Sequence, residues 1–262
     1  MEYAFNATAL GLGGAIERGH NTTLIPSLGS VVLPSTGGVG TSEIFNYRSD
    51  EVSFSMMQTR VGGSRIADGL YSAYSDILMR DVNLFDRVFV RQMQLTLTST
   101  RRVVEGEQGE ARFEIRASYG GVRIDEDEVI PELDLEMCSL ETYGQFLQIA
   151  SEEPERIAEK LDQPPTQVTA MVQPRPIPPV VRSSIVQKVH SPEVLCNRRN
   201  KLHVPGLGAL HFGELLLKQG RRRVNLLRLD YGDIMQEGPG GDGGSIVMAS
   251  GEGNGTPVWP QQ

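Results

Sequence analysis

Two histidines, His203 and His211, are the residues best spaced to do chemistry in this chain. With Gly206, Leu207 and Gly208 as a hairpin turn and pairing centred on Leu207, they oppose each other directly, with Cβ atoms ~5 Å apart on one face. Two imidazoles so placed can chelate a transition metal and support metal-assisted hydrolysis. No third ligand has suitable spacing, and Glu214 falls on another row. A cross-strand polar pair without metal is therefore expected, and a hydrolase ranks third among the functions considered.

Other motifs carry less. The run Asp125, Glu126, Asp127 and Glu128 offers oxygen ligands but lacks the Asn/Asp/Gly grammar of calcium loops, so it is expected to be a solvated acidic turn. The glycine clusters at 11–14 and 238–244 are not followed by Lys-Ser/Thr and do not sit between a strand and a helix, which excludes a phosphate loop. There is no Gly-x-Ser-x-Gly elbow, and surface carboxylates are too many for a glycosidase pair to stand out. No cofactor is expected. Cys138 and Cys196 are the only cysteines and do not fix a redox compartment. Asn6, Asn21 and Asn254 each open an N-x-Thr triplet, a pattern with only two fixed positions.

Charge is the most informative feature. Residues 125–162 hold 13 acids against 2 bases, a net of −11, whereas residues 175–228 hold 11 bases against 2 acids, a net of +9. Such blocks either neutralise each other within one fold or dock between molecules. The expected interaction residues are Arg198, Arg199, Arg221, Arg222 and Arg223 on the basic side and Asp125, Glu126, Asp127 and Glu128 on the acidic side. Phe212 is the only aromatic ring in the basic segment, which argues against nucleic acid, because single strands need stacking platforms as well as charge.

The elements that must position these residues are mainly strands. With 29 Gly and 15 Pro in 262 residues, turns are frequent and long helices are not. Residues 82–102 are the longest β signal, with Phe89, Met93, Leu95 and Leu97 on one face, and are expected to form the central strand of an antiparallel sheet. Leu133, Leu135 and Met137 alternate with Glu132, Asp134 and Glu136, which predicts a strand with an acidic outer face. Residues 141–150 and 151–161 read as helices, with Ser151 as an N-cap and Pro154 in a first turn.

The expected fold is mainly β: an antiparallel β-sandwich-like core with a small helical insert and a second hairpin-built β region. The segments are an extended N-terminal arm (1–41), the β core (42–138), the helical insert (139–162), a proline-rich connector (163–180), the second β region (181–250) and a tail (251–262). No window is apolar enough to cross a bilayer and no leader is visible, so a soluble, cytoplasmic protein with no membrane partner is expected. Without catalytic grammar, the leading function is a structural or interaction protein that forms a homo-oligomer through opposed charge and extended segments. The alternative is a module for carbohydrate or another small polar ligand, with Tyr71, Tyr74, Tyr119 and Tyr143 as its aromatic platform.

Overall fold

The computed structural model describes residues 2–104, 107–173, 178–192, 195–232 and 243–258. In chain order its strands are β1 (Glu2–Arg18), β2 (Asn21–Leu28), β3 (Val31–Val32), β4 (Gly38–Arg48), β5 (Val52–Ala67), β6 (Leu70–Leu84), β7 (Val88–Val104), β8 (Glu107–Gln108), β9 (Arg112–Ile124) and β10 (Asp127–Leu133). Four helices follow: α1 (Leu135–Ser139), α2 (Tyr143–Glu152), α3 (Pro154–Leu161) and α4 (Pro165–Met171). The remaining strands are β11 (Val181–Ser184), β12 (Val186–His190), β13 (Cys196–Arg198), β14 (Lys201–Val204), β15 (Gly208–Lys218), β16 (Arg221–Tyr231) and β17 (Gly243–Val258).

These strands make two antiparallel sheets packed face to face. Sheet A runs β13-β14-β15-β16-β17-β1-β2, with β11 added to β15 and β3 to β1; sheet B runs β12-β10-β9-β7-β6-β5-β4, with β8 on β7. The mainly β sandwich is thus as expected, and β7 lies at the centre of sheet B with Met93, Leu95 and Leu97 fully buried.

Several boundaries differ from expectation. The N-terminal segment is not an arm: β1 is an interior strand between β17 and β2, and buries Phe5, Ala7, Ala9, Leu12 and Ile16. Its glycines and alanines look turn-like in sequence, but they let the two sheets approach. A Cβ on Gly11 would fall 2.1 Å from the sulfur of Met57 in the opposite sheet. The second β region is not a separate unit either, because its strands complete sheet A around β1, and the glycine-rich tail supplies β17 through Val258. The acidic strand stops at Leu133, where Asp134 caps α1 by accepting the Met137 N–H at 3.1 Å. Thr142 and Gln145 form the capping box of α2, and Glu153 rather than Ser151 precedes α3, with Pro154 at its first position. The proline-rich connector opens with α4, Pro165 again serving as a helix start.

Alternation along the long strands breaks once, at the same level in each. Asn46, Ser55, Asp81, Arg91 and Gly121 share one level across sheet B, and the ladder skips every one of them. Asn46, Asp81 and Gly121, on alternate strands, have left-handed φ of 53°, 50° and 60°. Sheet A has the matching line in Gly11, Ala249, Leu226 and Gly213, with φ of 48° at Ala249 and 60° at Gly213. One left-handed residue turns the following side chain to the other face, so each sheet carries a transverse crease beyond which inside and outside exchange. Phe89 is the casualty among the expected core residues. It lies below the crease, where Val88 and Val90 point inward, and its ring sits on the outer face under Arg123, 4.9 Å from the guanidinium carbon.

The two long sides of the sandwich are unlike. On one, residues 181–190 bend at Ile185 and pass from sheet A, as β11, to sheet B, as β12; Val189 N–H also donates to Arg199 O at 2.9 Å. The helices pack beside this crossing through Met137, Tyr143, Phe146, Ile157, Leu161 and Val168. On the other side β2 and β4 are the end strands of their sheets, with the short β3 packed against β4.

Candidate functional site

The expected histidine pair does not form. Register pairs His203 with Ala209 and His211 with Lys201, so the turn is centred on Gly206 and the two imidazoles are offset by one pair on the same face. No group of three or more His, Cys, Asp or Glu side chains able to hold a metal occurs among the described residues. His211 instead meets a carboxylate on the neighbouring strand, Asp230, with Nε2 3.0 Å from Oδ2.

That contact begins a chain of polar side chains along the outer face of β15 and β16. Asp230 also bonds Arg228, and Arg228 forks onto Glu214 with Nε and Nη2 both 2.8 Å from its carboxylate oxygens. Glu214 in turn accepts from Asn225 Nδ2 at 3.3 Å. Burial alone would raise the Asp230 carboxyl, but the hydrogen bonds and positive charge of His211 and Arg228 outweigh it and hold the group below the usual carboxylate value. Register places Lys201, His211 and Arg228 in one row across three strands, and Ser184, Glu214 and Asn225 in the next. Side chains of a row share a face, which is why residues far apart in sequence converge here.

His211, Glu214 and Arg228 of this network floor a cleft of about 970 Å³ between sheet A and α3. Arg182, Arg199 and Lys201 line its strand wall, and Glu155, Glu159 and Asp162 line its helix wall. Arg199 and Glu159 approach to 3.9 Å, and this is the only ion pair between these two walls among the described residues. Ser184 is not poised as a nucleophile, since its hydroxyl donates to Phe212 O at 3.0 Å and accepts from Val186 N–H at 2.9 Å. Burial, and then the Asp134 charge, push the Cys138 thiol up to about 11, which keeps it protonated at neutral pH.

The other expected interaction residues are largely engaged inside the chain. Arg222 points into the core, is fully buried, and stacks its guanidinium 4.8 Å from the Phe113 ring centre, so it cannot face a partner. Arg221 and Arg223, which alternate away from it, both clasp the buried Glu252 of β17, at 2.5 and 3.0 Å. Asp125 takes a forked hydrogen bond from Arg87 at 2.8 and 2.7 Å, and Arg87 also donates to Pro205 O at 2.7 Å, tying sheet B to the β14–β15 turn. Glu126 and Glu128 remain exposed, Asp127 is half-buried, and the Arg198 side chain lies outside the described residues. The tyrosine platform is also dispersed. Tyr143 is buried with its hydroxyl on Pro179 O at 3.0 Å, Tyr119 reaches into the opposite sheet, Tyr71 stacks on Tyr3, and Tyr74 lies under Arg60.

The open side bears the other unusual feature. Leu24 on β2, Val32 on β3, and Val39 and Phe45 on β4 are 76%, 64%, 59% and 59% exposed. Large apolar residues at that exposure along two unpaired strand edges are uncommon, because natural edges are normally blunted by charge, bulges or cover.

The chain belongs to a family described as a domain of unknown function, DUF8256, whose profile matches residues 3–218. That span ends with β15 and so includes sheet B, the helices, the strand wall of the cleft and both open edges. Neither a curated protein nor a solved structure matches the chain. No described helix is long and apolar enough to cross a membrane.

Proposed function

We propose that this protein is a non-catalytic structural or interaction module that associates with copies of itself through its open side. The observation that carries this reading is the pair of end strands, β2 and β4, each without a further strand partner among the described residues, with Leu24, Val32, Val39 and Phe45 exposed on or beside them. An unpaired edge presents a row of free N–H and C=O groups, and another strand satisfies them best. A second copy suits the site because a two-fold axis beside β4 pairs the strand with itself and brings the same apolar residues together from both partners. β2 carries no charged residue to oppose pairing, and Pro26 removes only one donor from it.

This reading moves the contact away from the charge blocks. Arg221, Arg223, Arg228, Arg199, Glu159 and Asp125 have internal partners, so burial rather than opposed charge is the proposed driving force. Sedimentation of the wild type, a Val39→Lys/Phe45→Lys variant and an Arg221→Glu/Arg223→Glu variant tests it across low and high salt. The expected result is a species of twice the 28.7 kDa chain mass or more, insensitive to salt and reduced to monomer only by the lysine variant. A monomeric wild type under every condition overturns the proposal.

A further inference from the structure

We infer that the cleft between α3 and the outer face of sheet A binds a small zwitterionic molecule, one that carries an anionic group and an ammonium on a short spacer. This rests on a different surface from the proposed self-association and stands or falls separately. At about 970 Å³ the cleft has the size of a small-molecule site. Its walls are of opposite sign: Arg182 on β11, Arg199 in the turn before β14 and Lys201 on β14 face Glu155, Glu159 and Asp162 on α3 and its C-cap, while Lys160, which also lines the helix wall, is held by Asp134 and Glu136. Opposed charges usually close on each other, but here only Arg199 and Glu159 come within ion-pair range, at its limit. Arg182, Lys201, Glu155 and Asp162 have no ion pair among the described residues.

A simple anion placed in this space gains from one wall and loses to the other, and the same holds for a simple cation. A molecule with both charges, laid across the cleft, gains from both walls at once, and the partly enclosed space strengthens each interaction relative to open water. The floor reinforces the selection. Glu214 and Arg228, the two charges at the floor, fork onto each other and so contribute little net pull on a lone ion. Gln163 and Ser183, which also line the cleft, hold buried side-chain oxygens without a hydrogen-bond partner among the described residues, so hydrogen-bonding capacity remains at its wall.

The test is calorimetric titration of the full chain with 6-aminohexanoate, glycine, hexanoate and hexylamine, which separates the dipole from each charge alone. At least one of the two zwitterions should bind, with hexanoate and hexylamine each ~10-fold weaker or worse, the equivalent of ~1.4 kcal/mol. Arg182→Gln, Lys201→Gln and Asp162→Asn should each weaken that binding ~5–10-fold without changing the melting temperature. Asn is chosen at 162 because that residue has a left-handed φ of 53°, which Asn tolerates. No zwitterion binding at millimolar concentration overturns the inference. So does hexanoate binding as tightly as the zwitterion, and so does binding that survives all three substitutions.

Discussion

The hydroxyl of Tyr119, on β9 of sheet B, donates a 2.6 Å hydrogen bond to the carbonyl of Leu226 in the opposite sheet, beside Gly213. Leu226 and Gly213 are the crease residues of β16 and β15, which the strand ladder leaves out. One phenol therefore satisfies a backbone carbonyl that the crease has freed, and does so across the core. Burial first of all pushes that phenol far above its ordinary value, so it stays a donor at any working pH.

Tyr119→Phe keeps the ring, with its edge contact to Phe212, and removes only the hydroxyl. One buried backbone carbonyl then loses its partner, at a cost of about 1–3 kcal/mol. For a chain of this size that lowers the melting temperature by about 3–10 °C. Thermal unfolding by circular dichroism reads the change; a loss below about 1 °C would show that the crease does not depend on this bond.

Arg222→Met is expected to stabilise the protein. The guanidinium makes two hydrogen bonds, to the carbonyls of Lys218 and Arg221 at 3.1 and 3.3 Å, while its Nε and Nη2 have none among the described residues. Burial pushes the group down to about 10, with Glu110 and Tyr143 opposing only part of it. Because the folded state holds this proton less tightly than the unfolded chain, the charge costs stability below about pH 10 and is relieved only between there and the unfolded value. An apolar side chain of similar length removes that cost, a gain of about 1–3 kcal/mol in urea denaturation at neutral pH. A marked loss instead would mean that the carbonyl bonds and the Phe113 stack outweigh desolvation.

Asp230→Asn should reveal itself through pH. The folded carboxyl lies below its ordinary 3.8, so its stabilising contribution is present above the unfolded value and disappears as pH falls through the folded one. With the side chain about one-third exposed, the variant should be less stable by about 1 kcal/mol at neutral pH. The gap should close by about pH 2 in urea titrations run down the acid limb. A gap that stays constant to that pH would trace the effect to packing rather than charge.

Much of the architecture was legible in the alternation of Met93, Leu95 and Leu97, because a strand with one buried face writes its period into neighbouring residues. β1 and β17 were not legible, since close packing of the sheets selects Gly and Ala where a lone strand would show Val or Ile. Phe89 was assigned to the wrong face because a crease leaves no mark in composition: its left-handed positions are filled by Asn, Asp, Ala and Gly alike. The cleft was hidden for a different reason. His211 was found for the wrong partner, and Asp230, Arg228 and Glu214 converge through the β15–β16 register rather than through any local motif.

The paired creases also act on the chain as a reading frame. Along β5, β6, β7 and β9 the inward residues obey one parity before the crease and the opposite parity after it, so the strand is two messages joined by a single shifted letter. With Asp81 and Gly121 holding the crease in the flanking strands, losing or gaining one residue beside it in β7 would leave that strand one step out of register and face Met93, Leu95 and Leu97 to water. Strand length is thus a constraint of its own here, separate from side-chain identity and held in step in both sheets at once.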